Sequence, residues 1–116
     1  MRNGTENAMM NETDKARSIE IANIILSQMG GGGRIRAMTG AKRFEAVANG
    51  LQFDFPNRQR SRGNRVRVVL DPSDTYTVTF FNASRAGTKV VKEVSDIYCD
   101  SLKELFERQT GLYLSL

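Results

Sequence analysis

The chain has 116 residues, 40% of them hydrophobic and 26% charged, with one cysteine, no histidine, no tryptophan and a formal net charge of +4. That length suits one domain, able to bury roughly two-thirds of the surface its unfolded chain exposes. A single Cys99 excludes an internal disulfide framework, and without histidine or a cysteine cluster a structural zinc site has no ligand set.

Residues 1–11 are polar, with Gly4, Asn3, Asn7 and Asn11, and read as a flexible leader without the apolar core of a secretory signal. Residues 12–116 read as a single α+β domain. A helix is expected from about Glu12, with Thr13 or Asn11 as its cap and Glu12 and Asp14 at its positive end. Ile19, Ala22, Ile25, Leu26 and Met29 recur at three- and four-residue steps and predict its buried stripe. Gly30 to Gly33 end it. Arg34-Ile35-Arg36-Ala37-Met38 alternates polar and apolar and predicts a strand, with Thr39 to Lys42 as a turn.

Phe44–Ala48 and Leu51–Phe55 flank Asn49-Gly50, a strong hairpin signal, and Pro56 stops the second run. Residues 57–64 are polar and cationic and predict an exposed loop. Arg65–Leu70 and Tyr76–Phe81 are rich in β-branched and aromatic residues and frame the turn Asp71-Pro72-Ser73-Asp74. Val66, Val68 and Leu70 are expected to face the core, as are Tyr76, Val78 and Phe80 on the return strand. Arg85 to Thr88 predicts another turn, and Lys89–Val94 a last strand. Ser101-Leu102-Lys103-Glu104 matches a capping box opening a final helix, with Ser95 as a candidate earlier cap. Tyr98, Leu102, Leu105 and Phe106 would share its apolar face, and Gly111 would close it. The apolar tail from Leu112 to Leu116 is expected to pack on the sheet or on a partner. The order is a helix, a four- to five-stranded antiparallel sheet and a helix, with the helices covering one face.

Charge is the sharpest signal. From Gly30 to Arg67 the chain carries Arg34, Arg36, Lys42, Arg43, Arg58, Arg60, Arg62, Arg65 and Arg67 against Glu45 and Asp54 alone, a net +7, between mildly acidic ends. All but one are arginine, whose guanidinium grips phosphate or carboxylate bidentately where lysine offers a point charge. If Arg34 and Arg36 share one strand face and Arg65 and Arg67 another, the four form a plate with the loop arginines at its rim. The bland alternative is a solvated sheet face whose charges guard an edge. None of these nine cations is expected on a helix, so a recognition helix in a major groove is disfavoured. Phe44, Phe53 and Phe55 are candidates for base stacking, and equally for the core.

Catalytic patterns are weak. Gly40-Ala41-Lys42-Arg43 lacks the adjacent glycine, lysine and hydroxyl of a phosphate loop. Asp71 and Asp74 fit turn chemistry better than a metal pair. Cys99 has no histidine to activate it and is expected to be a buried small residue. Neither an enzyme nor a cofactor is expected. No apolar run reaches the ~18 residues of a membrane helix, and a cytoplasmic protein is expected.

Four stretches carry a resemblance: Ile25 to Gly30, Ala37 to Phe44, Leu70 to Val78 and Thr110 to Tyr113. Through them, residues 22 to 116 resemble a group of small proteins encoded by bacteriophages and other bacterial mobile elements. The group brings no assigned activity or site residues. The resemblance implies a binding protein that alters a machine of a bacterial host. Together with the charge, it leads to a non-enzymatic protein engaging nucleic acid, or a nucleic-acid–protein complex, through an arginine-rich surface. The alternative is a protein–protein inhibitor of a host defence nuclease, its arginines on an acidic face or its apolar tail in a groove.

Overall fold

The computed structural model describes residues 12–114, so the expected leader, Asn11 as a cap, and Ser115 and Leu116 lie outside the described residues. Helix α1 (Glu12–Gln28) and helix α2 (Gly32–Thr39) precede five strands: β1 (Lys42–Val47), β2 (Gly50–Asp54), β3 (Arg65–Leu70), β4 (Tyr76–Ser84) and β5 (Gly87–Ile97). A 3-10 turn at Arg60–Arg62 lies between β2 and β3, another at Cys99–Ser101 follows β5, and α3 (Leu102–Thr110) closes the fold. The strands form one antiparallel meander in chain order. The α+β architecture expected from the sequence is the one observed.

All three helices pack on one face of the sheet. Ile21, Ala22 and Ile25 of α1, Met29 just after it, Ile35 of α2 and Leu102 and Phe106 of α3 join Leu51, Phe53, Val66, Val68, Tyr76, Val78 and Phe80 in a single core. The Phe106 ring lies 5.1 Å from Phe55, 5.9 Å from Phe53 and 6.5 Å from Phe80. Of the apolar tail, Leu114 is fully buried in the domain, whereas Tyr113 stands exposed.

Local differences from the sequence reading have identifiable causes. Arg34 to Met38 belongs to α2, not to a strand. Gly30 and Gly31 take φ of 110° and 97°, which breaks α1, and a new helix starts at Gly32. Ile35 and Thr39, four apart, are its buried pair, a helical spacing that reaches one residue past the alternating run. In α1 the buried face runs through Ser18, Ile21, Ala22 and Ile25 and continues to Met29 beyond its end, leaving Ile19 53% exposed.

The first hairpin turns at Ala48 and Asn49, one residue earlier than expected, with Val47 paired to Gly50. Asn49 takes the left-handed conformation, and a Cβ on Gly50 would stand 2.1 Å from the Val68 carbonyl oxygen. Glycine therefore serves close strand approach here. Ser101 makes no side-chain cap: the Cys99–Ser101 turn supplies the entry to α3 in place of a capping box. Strand β5 extends to Ile97 and absorbs Ser95, and Tyr98 and Cys99 are exposed.

Phe106→Ala empties the space where three other rings meet and is expected to cost about 3–5 kcal/mol, read from urea unfolding. Burial raises the Tyr76 phenol above its usual pKa of 10. The unfolded chain then releases its proton first, so stability falls as pH rises past that point. Urea midpoints at about pH 8 and about pH 11 should drop less in Tyr76→Phe than in the parent chain.

Candidate nucleic-acid interface

The sheet face away from the helices carries Arg65 and Arg67, because Val66 and Val68 turn inward. Around Arg67 that face is a balanced ladder. Gln52 Nε2 donates to Glu45 Oε1 at 3.1 Å, Arg67 Nε donates to Gln52 Oε1 at 3.0 Å, and Thr79 Oγ1 donates to Glu93 Oε1 at 2.8 Å. The Arg67 guanidinium also lies 4.9 Å from the Phe81 ring centroid.

The expected plate of four guanidiniums does not form. Arg34 and Arg36 ride on α2, so a helix does carry cations. Arg36 stacks 5.1 Å from the ring of Phe44, which meets core Phe53 at 4.9 Å. That places Arg36 on the helix-covered side, across the sheet from Arg67. Phe53 and Phe55 are buried and Phe44 lies under Arg36, so these rings build the core.

A different cationic centre forms at the end of the sheet where β1 starts, β2 ends, β3 starts and β4 ends. Lys42, Arg43, Arg65 and Arg85 line a cleft of about 450 Å³ there, with Asp54 as its one acid and Phe55, Pro56, Asn64, Ala83 and Ser84 completing the wall. Arg43 reaches it from an unusual backbone. The β1–β2 register shifts between Lys42 and Glu45, and Arg43 sits in the bulge with φ of 58°. A bulge re-aims one side chain, and a left-handed non-glycine residue costs on the order of 1 kcal/mol.

Asp54 organises the cations around it. Arg65 Nε donates to Asp54 Oδ1 at 2.6 Å and Nη2 to Oδ2 at 3.3 Å, while Arg43 Nη1 stands 3.6 Å from Oδ2. The Arg65 side chain is 24% exposed and that of Asp54 16%. The hydrogen bond to Asp54 raises the Arg65 pKa further above its ordinary value, so its charge is permanent. Four cations against one carboxylate leave the cleft at net +3.

Asn64 builds the wall. Its amide Nδ2 donates to the Ala83 carbonyl at 3.0 Å, its Oδ1 accepts from the Ala83 N–H at 2.7 Å, and its own N–H donates to the Phe81 carbonyl at 2.8 Å. Phe55 N–H donates to the Asn64 carbonyl at 2.9 Å.

Of the nine cations singled out from the sequence, Lys42, Arg43 and Arg65 converge on this cleft. Arg58 lines a neighbouring one. Arg60 and Arg62 form the 3-10 turn of the loop. Arg62 lies against the C-terminal end of α3, since a Cβ on Gly111 would come within 2.8 Å of its Nη1. Arg34, Arg36 and Arg67 stand elsewhere. Charge along the sequence does not point to Arg85: it lies 18 residues beyond the basic segment, in the turn after β4, and only the folded chain brings it to the cleft that Arg65 lines. The one available signal was that extending the hairpin past Phe81 runs toward Arg85.

Among the described residues no group of three or more Cys, Asp or Glu is placed to hold a metal ion, and no helix is long and apolar enough to cross a membrane. Comparison with models of protein families, with curated proteins and with solved structures returned no match for the chain.

A double-mutant cycle between Asp54→Asn and Arg65→Met should return a coupling of about 1–2 kcal/mol in urea unfolding, since both partners are largely shielded from water. A coupling near zero would mean that the pair does not organise the cleft.

Proposed function

We propose that this chain is a non-enzymatic binding protein that holds the phosphate backbone of nucleic acid, free or within a nucleic-acid–protein complex, at the cationic end of its sheet. The observation that carries this reading is the convergence of Lys42, Arg43, Arg65 and Arg85 on one cleft against Asp54 alone. Three guanidiniums in one hollow suit the paired non-bridging oxygens of successive phosphodiesters, each pair sharing one negative charge. Recognition through such groups reads backbone and carries little sequence information. The resemblance to phage and mobile-element proteins supports a role against, or within, the nucleic-acid machinery of a bacterial host.

The second reading, an inhibitor docking on a host defence nuclease, draws on Ile19 and Ile24, both about half exposed on the side of α1 away from the core. Insertion of the apolar tail into a groove loses its ground at Leu114, which is already buried in the domain. Capture from host lysate after nuclease digestion separates the readings: a partner retained favours direct protein contact, and a partner lost favours nucleic acid.

Anisotropy of a labelled mixed-sequence oligonucleotide, measured across salt concentrations, tests the first reading. With about three phosphates neutralised, log K should fall with log salt at a slope of roughly −2 to −3. Arg85→Glu should weaken binding at least tenfold and flatten the slope, whereas Arg67→Glu, on the balanced sheet face, should change it little. Absence of binding at low salt, or equal damage from both variants, would overturn the assignment.

A further inference from the structure

Resting on that reading of the sheet end, we infer that the ligand is a single strand of nucleic acid lying along two joined clefts. The second cleft, of about 730 Å³, is lined by Asn57, Arg58, Gln59, Thr110, Gly111 and Leu112. It shares Phe55, Pro56 and Asn64 with the first, so the two run into one another along a common wall. The first already crosses from β1 to β4, three strand spacings or roughly 14 Å. The second extends the path past the loop to the end of α3.

The loop that forms the second cleft is held in shape. Asn57 Nδ2 donates to the carbonyls of Gly63 at 3.0 Å and Thr110 at 3.2 Å, and Asn57 Oδ1 accepts from the Gln59 N–H at 3.0 Å. Arg58 is exposed on this fixed loop. Arg62, by contrast, is turned toward the negative end of α3, where its charge answers the helix dipole. The path therefore has cations at both ends, with Arg85 and Lys42 in one cleft and Arg58 in the other.

A duplex displays two rows of phosphate on the rims of grooves roughly 6 and 12 Å wide, and is usually met by a helix or ribbon projecting into one of them. Here the cations line a hollow. One row of phosphates can follow that hollow; two rows bound into a stiff double helix cannot. Tyr113, next in sequence to Leu112 of the second cleft, is two-thirds exposed and offers its ring to an unpaired base.

The test uses the full chain and labelled oligothymidylates of about 3, 6 and 12 nucleotides, spanning the usual site sizes for single-strand grooves. Affinity should rise tenfold or more from the shortest to the middle length and then level off. At equal salt a single strand should bind at least tenfold tighter than a duplex of the same length. Arg58→Glu should abolish the gain with length while leaving the shortest oligonucleotide unaffected, and Arg85→Glu should weaken every length. Circular dichroism checks that both variants fold. A duplex bound as tightly as the single strand, or an Arg58→Glu loss that is equal at all lengths, overturns the single-strand path while leaving the cationic cleft standing. Failure of both nucleic-acid forms to bind removes the cleft assignment itself.

Discussion

The site depends on one carboxamide. Asn64 stands just before β3, where the chain leaves the basic loop and enters the sheet. A backbone ladder alone would end there with unpaired groups. The Asn64 side chain instead donates to and accepts from Ala83, and its backbone serves Phe81 and Phe55. The ends of β2, β3 and β4 are thereby fixed relative to one another. Buried or half-buried backbone groups need partners, and an amide is the side chain that can both give and take. Arg65, Asp54 and Arg85 hold their relative positions because that corner is fixed.

Charge at the corner is arranged rather than accumulated. Asp54 holds Arg65 in a two-pronged hydrogen bond and draws Arg43 toward the same cleft. Like charges brought together without such a carboxylate would repel and splay into solvent. With it, a net positive hollow survives beside a hydrophobic floor made by Phe55 and Pro56. The opposite arrangement governs the open sheet face, where Arg67 donates to Gln52, itself bonded to Glu45, and lies over the Phe81 ring. Two arginines two residues apart on one strand, Arg65 and Arg67, therefore play different parts: one lines the cationic cleft, and the other knits strands.

The same separation explains why the basic segment overstated the site. Arg36 stacks on Phe44 and Arg62 rests on the end of α3. Both are arginines used as structural groups, their stems and planes packed on apolar or dipolar surfaces. Net charge counted along a chain registers none of this. It also passed over Arg85, whose neighbours in sequence are a turn and an exposed strand.

Much of this protein was legible in its residues taken alone. Alternation of valines, phenylalanines and tyrosines sets β3 and β4 and says which side faces inward, because a strand's side chains change face at every step. Asp71-Pro72 marks a turn, because proline pre-sets one of its angles, and Gly111 marks a helix end, because glycine takes the left-handed conformation freely. Other features were decided only by the folded chain. Arg34 to Met38 alternates as a strand would, and the burial of Ile35 and Thr39 made it a helix. The cleft joins residues from four strand ends up to 43 positions apart, from Lys42 to Arg85. Proximity of that kind comes from strand register and from the Asn64 bridge. Neither is encoded in the spacing of charges along the chain, so the identity of the site belongs to the tertiary structure.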